Sequence, residues 1–149
     1  MLSLLRPTIA RSACQGRPSI SAFHHQQRSK STLVIAEPTK DNTLAPSTLS
    51  AISAASKLHS GPISLLTFSS GEVGVPSSVS SVIQANTDGN SSLLAETVCN
   101  AVVAANEKHG YSHIVAPGTK FGANYLGRAG AQLGVSPVSD VVEVLSEGR

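Results

Sequence analysis

The stretch Ser31-Thr-Leu-Val-Ile-Ala-Glu37 decides how the rest of the chain is read. Within it, Leu33-Val-Ile-Ala36 is a short unbroken apolar run, the pattern of a parallel strand buried on both faces. The polar residues that follow offer helix caps at Asp41-Asn-Thr43, with Thr43 expected as the N-cap and Pro46 in the first turn, where its missing N–H costs little. Ala45, Leu49, Ile52 and Ala55 step by four, three and three residues, which predicts one apolar stripe on that helix. Lys57 and His59 are expected in its last turn, and Gly61-Pro62 stops it. A strand running straight into a covering helix is the first unit of an α/β sheet.

The same alternation continues downstream. Residues 63–68 read as a second strand, and residues 69–78, rich in Ser, Gly and Pro, as loop. Residues 79–84 read as a third strand, the weakest of the set, expected at a sheet edge with one face poorly covered. Asp88-Gly-Asn90 is a turn signal, and a helix over 92–109 presents Leu94, Val98, Ala101, Val102 and Ala105 on one side. Lys108 and His109 suit the carboxyl end of its dipole and Gly110 ends it. Residues 113–116 form a fourth strand. The helix that follows has Leu126, Ala129 and Leu133 as its stripe and closes at Gly134, and residues 138–145 can form a last strand. Strand and helix in turn imply right-handed crossovers and an open, mostly parallel sheet with helices on both faces, which can be left incomplete at the carboxyl end.

At 149 residues the chain is one domain's worth. Hydrophobic residues make up 40% but aromatics only 3%, so the core is built from Val, Ile, Leu and Ala. The net charge of +2 hides an asymmetry. Residues 1–30 carry Arg6, Arg11, Arg17, Arg28 and Lys30 and no acid, whereas the remainder sets six basic residues against nine acids, a net of −3. An acidic body gives no electrostatic footprint for nucleic acid. The basic, acid-free, Ser-containing leader, with Leu2, Leu4, Leu5, Ile9 and Phe23 between its charges, reads as a mitochondrial targeting presequence cleaved between Arg28 and Ser31. Residues 31–149 are then the mature domain, a protein of the mitochondrial matrix. No stretch approaches the ~20 apolar residues of a membrane span.

Candidate chemistry is sparse. Cys14 falls in the leader, and Cys99 lies on an apolar helix as a small core residue. His24, His25, His59, His109 and His113 show no metal-ligand spacing with Cys or carboxylates, and no Gly-x-Ser-x-Gly elbow supports a serine nucleophile. No catalytic residue and no metal ligand can be named. The loop Pro117-Gly-Thr-Lys-Phe-Gly122 follows a strand and opens a helix, where open α/β folds bind ligands and free helix N–H groups suit phosphate. Lys120 could add charge there. Yet the loop matches neither the phosphate-loop nor the dinucleotide fingerprint, and a plain strand-to-helix turn with a subunit contact is the favoured reading. Glu37 and Asp41 face the same edge, most simply as solvated loop carboxylates. Arg128 is open between pairing with a carboxylate such as Asp140, touching a partner subunit, and a solvated surface position.

Three separated islands share a resemblance: Ser31–Glu37 with Leu44-Ala-Pro46, then Tyr111-Ser-His-Ile-Val-Ala116 with Phe121-Gly-Ala-Asn-Tyr-Leu-Gly-Arg128, then Ser136-Pro-Val-Ser-Asp140. In order and spacing they resemble the amino-terminal domain of the electron-transfer flavoprotein alpha subunit, from residue 31 to about residue 145. The resemblance implies the adenine nucleotide alpha hydrolase-like, Rossmann-like three-layer fold. It implies an electron carrier subunit rather than a catalyst with its own substrate. It further implies a heterodimer with a beta subunit, one FAD per heterodimer, and electrons passed from matrix acyl-CoA dehydrogenases of fatty acid beta-oxidation to the quinone oxidoreductase. In that family the flavin sits mainly in a carboxy-terminal domain beyond the position of Arg149. No cofactor-binding residue is therefore expected here, and the chain reads as a truncated or variant form acting as scaffold. A stand-alone mononucleotide-binding module and an inert beta-binding fragment are the alternatives. Relatives carry a longer stretch with a helix between the second and third strands. A strand missing at the carboxyl end would leave an open sheet edge, so the domain is expected to be aggregation-prone or partner-dependent.

Overall fold

A computed structural model describes residues 30–37, 39, 43–68, 71, 73–85 and 94–145. Residues 1–29 of the leader, Asp41 and the Asp88-Gly-Asn90 turn lie outside them. Four strands, β1 (Thr32–Ile35), β2 (Ile63–Thr67), β3 (Ser81–Gln84) and β4 (His113–Val115), form one parallel sheet in the order β3-β2-β1-β4. Three helices cover it: α1 (Pro46–Leu58), α2 (Ala95–His109) and α3 (Lys120–Leu133). This is the three-layer α/β architecture that the alternation predicts.

The side-chain period of a strand explains the layers. Leu33 and Ile35 of β1 point into one core with Leu66, Phe68, Val98, Val102 and Tyr125, under α2 and α3. Val34 and Ala36 point the other way, onto Ala51, Ile52, Ala55 and Leu65 under α1. Both faces of β1 and β2 are therefore sealed, which is why their sequences are continuous apolar runs. Cys99 is buried in the α2–α3 core, as its helix position predicts.

The third strand sits at the sheet edge, as expected. Residues 68–80 connect β2 to β3 with no helix among those described, although a parallel crossover usually carries one. Ile83 packs toward the α2–α3 core, while Val82 on the other face is 47% exposed. A hydrogen bond of 2.8 Å between the Ser64 and Ser81 hydroxyls ties this edge to its neighbour.

Several local expectations are corrected. The first helix is N-capped by Ala45 without a side-chain hydrogen bond, not by Thr43. Pro46, with its fixed φ, sets the first helical position and leaves Thr43 exposed three residues upstream. Its buried stripe is Thr48, Ala51, Ile52 and Ala55, rotated from the predicted set, and Leu49 is exposed. His59 is the extended C-cap rather than a member of the last turn. Leu94 is the exposed N-cap of α2, not part of its buried stripe. Gly110 and Gly134 end α2 and α3, as predicted, and both do so in the left-handed conformation. Residues 138–145 form no strand: Asp140 turns at φ 56° and breaks the extended run.

Candidate functional site

The chain leaves β1 through α1 to reach β2, but returns through α2 to place β4 on the other side of β1. The carboxyl ends of β1 and β4 thus flank the switch point where open α/β sheets take ligands. Around it lie Glu37, the first turns of α1 and α3, and the Pro117–Thr119 turn.

Here the sequence-suggested loop is folded tightly on itself. The Thr119 hydroxyl caps α3 by accepting from the Gly122 N–H at 3.4 Å, and the Thr119 N–H donates to the Pro117 carbonyl at 2.8 Å. A Cβ on Gly122 would stand 2.2 Å from that same carbonyl oxygen, so only glycine permits the approach. Lys120, the first residue of α3, is exposed.

Glu37 is more than a solvated loop carboxylate. It is half-buried, its N–H donates to the Thr48 Oγ1 at 3.0 Å, and its Oε2 accepts from the Ser47 hydroxyl at 2.5 Å. Helix α1 has no acid in its first turn and no side-chain cap, so the Glu37 carboxylate supplies negative charge at its amino end. This contact also explains the rotated stripe, because it turns Thr48 inward. On the far side, Tyr125 is fully buried and its hydroxyl has no hydrogen-bond partner. Burial, and then the Glu37 charge, raise its phenol above the ordinary 10.0. Phe121 packs edge-on against it with ring centroids 5.3 Å apart.

Sequence reading missed both Tyr125 and the Ser47–Thr48–Glu37 contact. The available signal was spacing: Phe121 and Tyr125 lie four apart on α3, one residue off the predicted stripe. The structure does not bring Arg128 to Asp140. Arg128 pairs with Glu96 of α2 at 2.9 Å, with both side chains more than half exposed, while Asp140 lies in the exposed segment after α3. At the opposite edge, the His59 and His113 rings stand 5.1 Å apart. The His59 Nδ1 accepts from the Gly61 N–H, which leaves Nε2 to donate to the Thr32 hydroxyl. Among the described residues no three His, Cys, Asp or Glu side chains are grouped to hold a metal ion.

Among the described residues, the amino ends of α1 and α3 at this edge do not suit a phosphate group. The amino end of α1 already faces a carboxylate, which repels phosphate, and the Gly122 amide of α3 is taken by Thr119.

The electron transfer flavoprotein domain model matches residues 32–149. The chain belongs to the electron transfer flavoprotein family. It is 38% identical over 129 residues to the mitochondrial electron transfer flavoprotein subunit alpha of Arabidopsis thaliana, covering 80% of this chain and 35% of that protein. The subunit of the same name from Oryza sativa subsp. indica is 38% identical over 148 residues, 92% of this chain and 41% of its own. A probable mitochondrial alpha subunit from Caenorhabditis elegans is 36% identical over 124 residues, 80% of this chain and 37% of its own. The chain thus spans roughly two fifths of the length of the curated relatives it matches.

Proposed function

We propose that this chain serves electron transfer as an alpha-subunit-type scaffold domain, one that docks a beta subunit and contributes no group to the flavin. The match of the whole described body to one family, with alpha subunits as the relatives, carries the reading. The carboxylate at the switch point supports the second half of it, since the place where such a fold would hold a phosphate is taken by Glu37. FAD, when held by a complete heterodimer, supplies the redox chemistry, and this domain braces it. The chain is accordingly an electron carrier component and not a catalyst. Its place is between the acyl-CoA dehydrogenases of fatty acid beta-oxidation and the quinone oxidoreductase. The basic residues 1–30 and the mitochondrial relatives support delivery to the mitochondrial matrix as a transit peptide and domain. No described helix is long and apolar enough to cross a membrane.

The test is to purify the full chain alone and with an electron-transfer flavoprotein beta subunit, recording a flavin spectrum of each. Co-purification with the beta subunit and a colourless chain alone are expected. A yellow chain that by itself accepts electrons from an acyl-CoA dehydrogenase overturns the proposal, as does failure to bind the beta subunit. Tight AMP or ATP binding by the chain alone would favour the stand-alone mononucleotide module instead.

A further inference from the structure

The amino ends of β1, β2 and β4 meet at a polar corner on the opposite edge of the sheet from the switch point. His59, half-buried at the carboxyl end of α1, stands at its centre. Its Nδ1 lies 2.9 Å from the Gly61 N–H, and its Nε2 lies 2.8 Å from the Oγ1 of Thr32, a residue with no exposed surface. A backbone N–H can only donate, so Nδ1 holds a lone pair and the single ring proton sits on Nε2. The neighbouring ring has the opposite arrangement. The Ser112 hydroxyl donates its one proton to the Ser31 carbonyl at 2.8 Å, so it accepts from both the Ser31 N–H and the His113 Nδ1–H, each at 2.9 Å. A second proton on His113 would break none of these bonds. On His59 it would break one.

We infer that His59 is an acid-sensitive latch, which ties the start of β1 to the turn entering β2 only while its ring is neutral. A proton added at Nδ1 faces the Gly61 N–H, donor against donor, and that bond is lost. The turn so released also carries the Pro62 carbonyl, which accepts from the Thr32 N–H at 3.1 Å. It has little room to rearrange while closed, because Gly61 packs so tightly on the Lys30 carbonyl that a Cβ would overlap its oxygen. The charged or titratable groups about this corner are Lys30 ahead of β1, Lys57 on α1 and His113 on β4. His109 and Glu107 of α2 and Glu143 beyond α3 line the same groove as His113. Of these, the His113 ring touches His59, with centroids 5.1 Å apart, and a charge there opposes a second one on His59. The sign follows from linkage. The closed corner holds a neutral ring, whereas the open one accepts a proton at the ordinary histidine value of about 6.5. The latch is therefore intact above that pH and weakens as the pH falls below it. Opening frees Lys30 to Thr32, the point at which the basic leader passes into the domain.

The test uses the full 149-residue chain, isotope-labelled for nuclear magnetic resonance. Imidazole nitrogen shifts report the tautomer of each ring, and amide exchange reports protection at Thr32 and Gly61. At about pH 7.5 the expected result is a neutral His59 ring protonated on Nε2, with both amides protected. Between about pH 7.5 and about pH 5.5 their protection factors are expected to fall about tenfold, the change one proton drives when the open form titrates at about 6.5. Protection at Val34, in the middle of β1, is expected to hold, because the opening is local. His59→Asn keeps an acceptor for Gly61 but takes no proton. It is expected to lower protection at every pH, since the Thr32 Oγ1 loses its donor, and to remove the pH dependence. His113→Asn is expected to leave that dependence in place. A His59 ring protonated on Nδ1 while the Gly61 amide stays protected overturns the inference. Equal protection at both pH values does so too, as does a pH dependence that survives His59→Asn or vanishes with His113→Asn.

Discussion

The middle of the sheet and its two margins obey different rules although they share one hydrogen-bonded ladder. In β1 and β2 every residue is buried, because α1 seals one face and α2 with α3 the other. In β3 and β4 no residue is fully buried, since among the described residues neither strand has a neighbour on its outer side. The difference teaches that stability here is concentrated in about nine strand residues, while the margins are available for contact with other chains. The sharpest way to break this contrast is to truncate both regions alike. Leu33→Ala, at a side chain with no exposed surface, is expected to cost roughly 2–5 kcal/mol in a denaturant melt. Val82→Ala on β3 should stay within about 0.5 kcal/mol of the parent. Equal losses at the two positions would mean that the edge is covered in solution.

The boundary between the regions is the carboxyl end of β1, where polar groups replace apolar ones. Thr48→Val keeps the shape of the side chain but removes the acceptor of the Glu37 N–H, leaving that donor half-buried and unpaired. A loss of roughly 1–3 kcal/mol is expected. Thr48→Ser, which keeps the acceptor, should recover most of it. If Thr48→Val melts like the parent, the Glu37 contact is not what holds α1 to the sheet.

How much of this was legible in the sequence follows the same division. The central strands were readable because burial on both faces forces an unbroken apolar run, and Leu33-Val-Ile-Ala36 has no other economical reading. The glycines at 110 and 134 were readable because a helix end in the left-handed conformation has few alternatives. The register of α1 was not, because a buried threonine looks polar until its partner is known, and that partner, Glu37, is eleven residues away. Arg128 was left open among three readings for a similar reason: its partner Glu96 lies 32 residues upstream on another helix, a distance no local pattern encodes. The segment 138–145 was read as a strand from its composition alone. Composition sets the propensity to extend, but pairing depends on the neighbour, and Asp140 at φ 56° breaks the extended run. At the switch point, the loop at 117–122 was correctly placed between strand and helix, but the inward carboxylate that disfavours phosphate was visible only in three dimensions.

Tyr125 provides a change of opposite sign within the core. Its hydroxyl is buried without a partner, so Tyr125→Phe removes a desolvated polar group and keeps the packing of the ring. A gain of about 1 kcal/mol is expected. The pH dependence gives an independent check. The folded phenol ionises at higher pH than the unfolded one, whose ordinary value is 10.0, so its contribution is intact below that pH and lost as the pH rises above it. The parent should therefore lose stability above about pH 10 more steeply than Tyr125→Phe. Identical alkaline profiles would indicate that the hydroxyl reaches solvent.

The smallest effect is expected at the surface, where α2 and α3 are joined by Arg128 and Glu96. The pair is well formed, with N–O 2.9 Å, but the side chains are 57% and 72% exposed. Water and salt screen such a contact, and ordering two long side chains offsets much of its Coulomb energy, so the net contribution is about 0–1 kcal/mol. The helices are already held by Val98, Val102 and Tyr125 beneath them. Arg128→Ala and Glu96→Ala are therefore each expected to lower stability by less than about 1 kcal/mol, with a double-mutant coupling that fades as salt is raised. A salt-resistant coupling well above that range would place Arg128 inside an interface, since only removal from water makes the same geometry stronger.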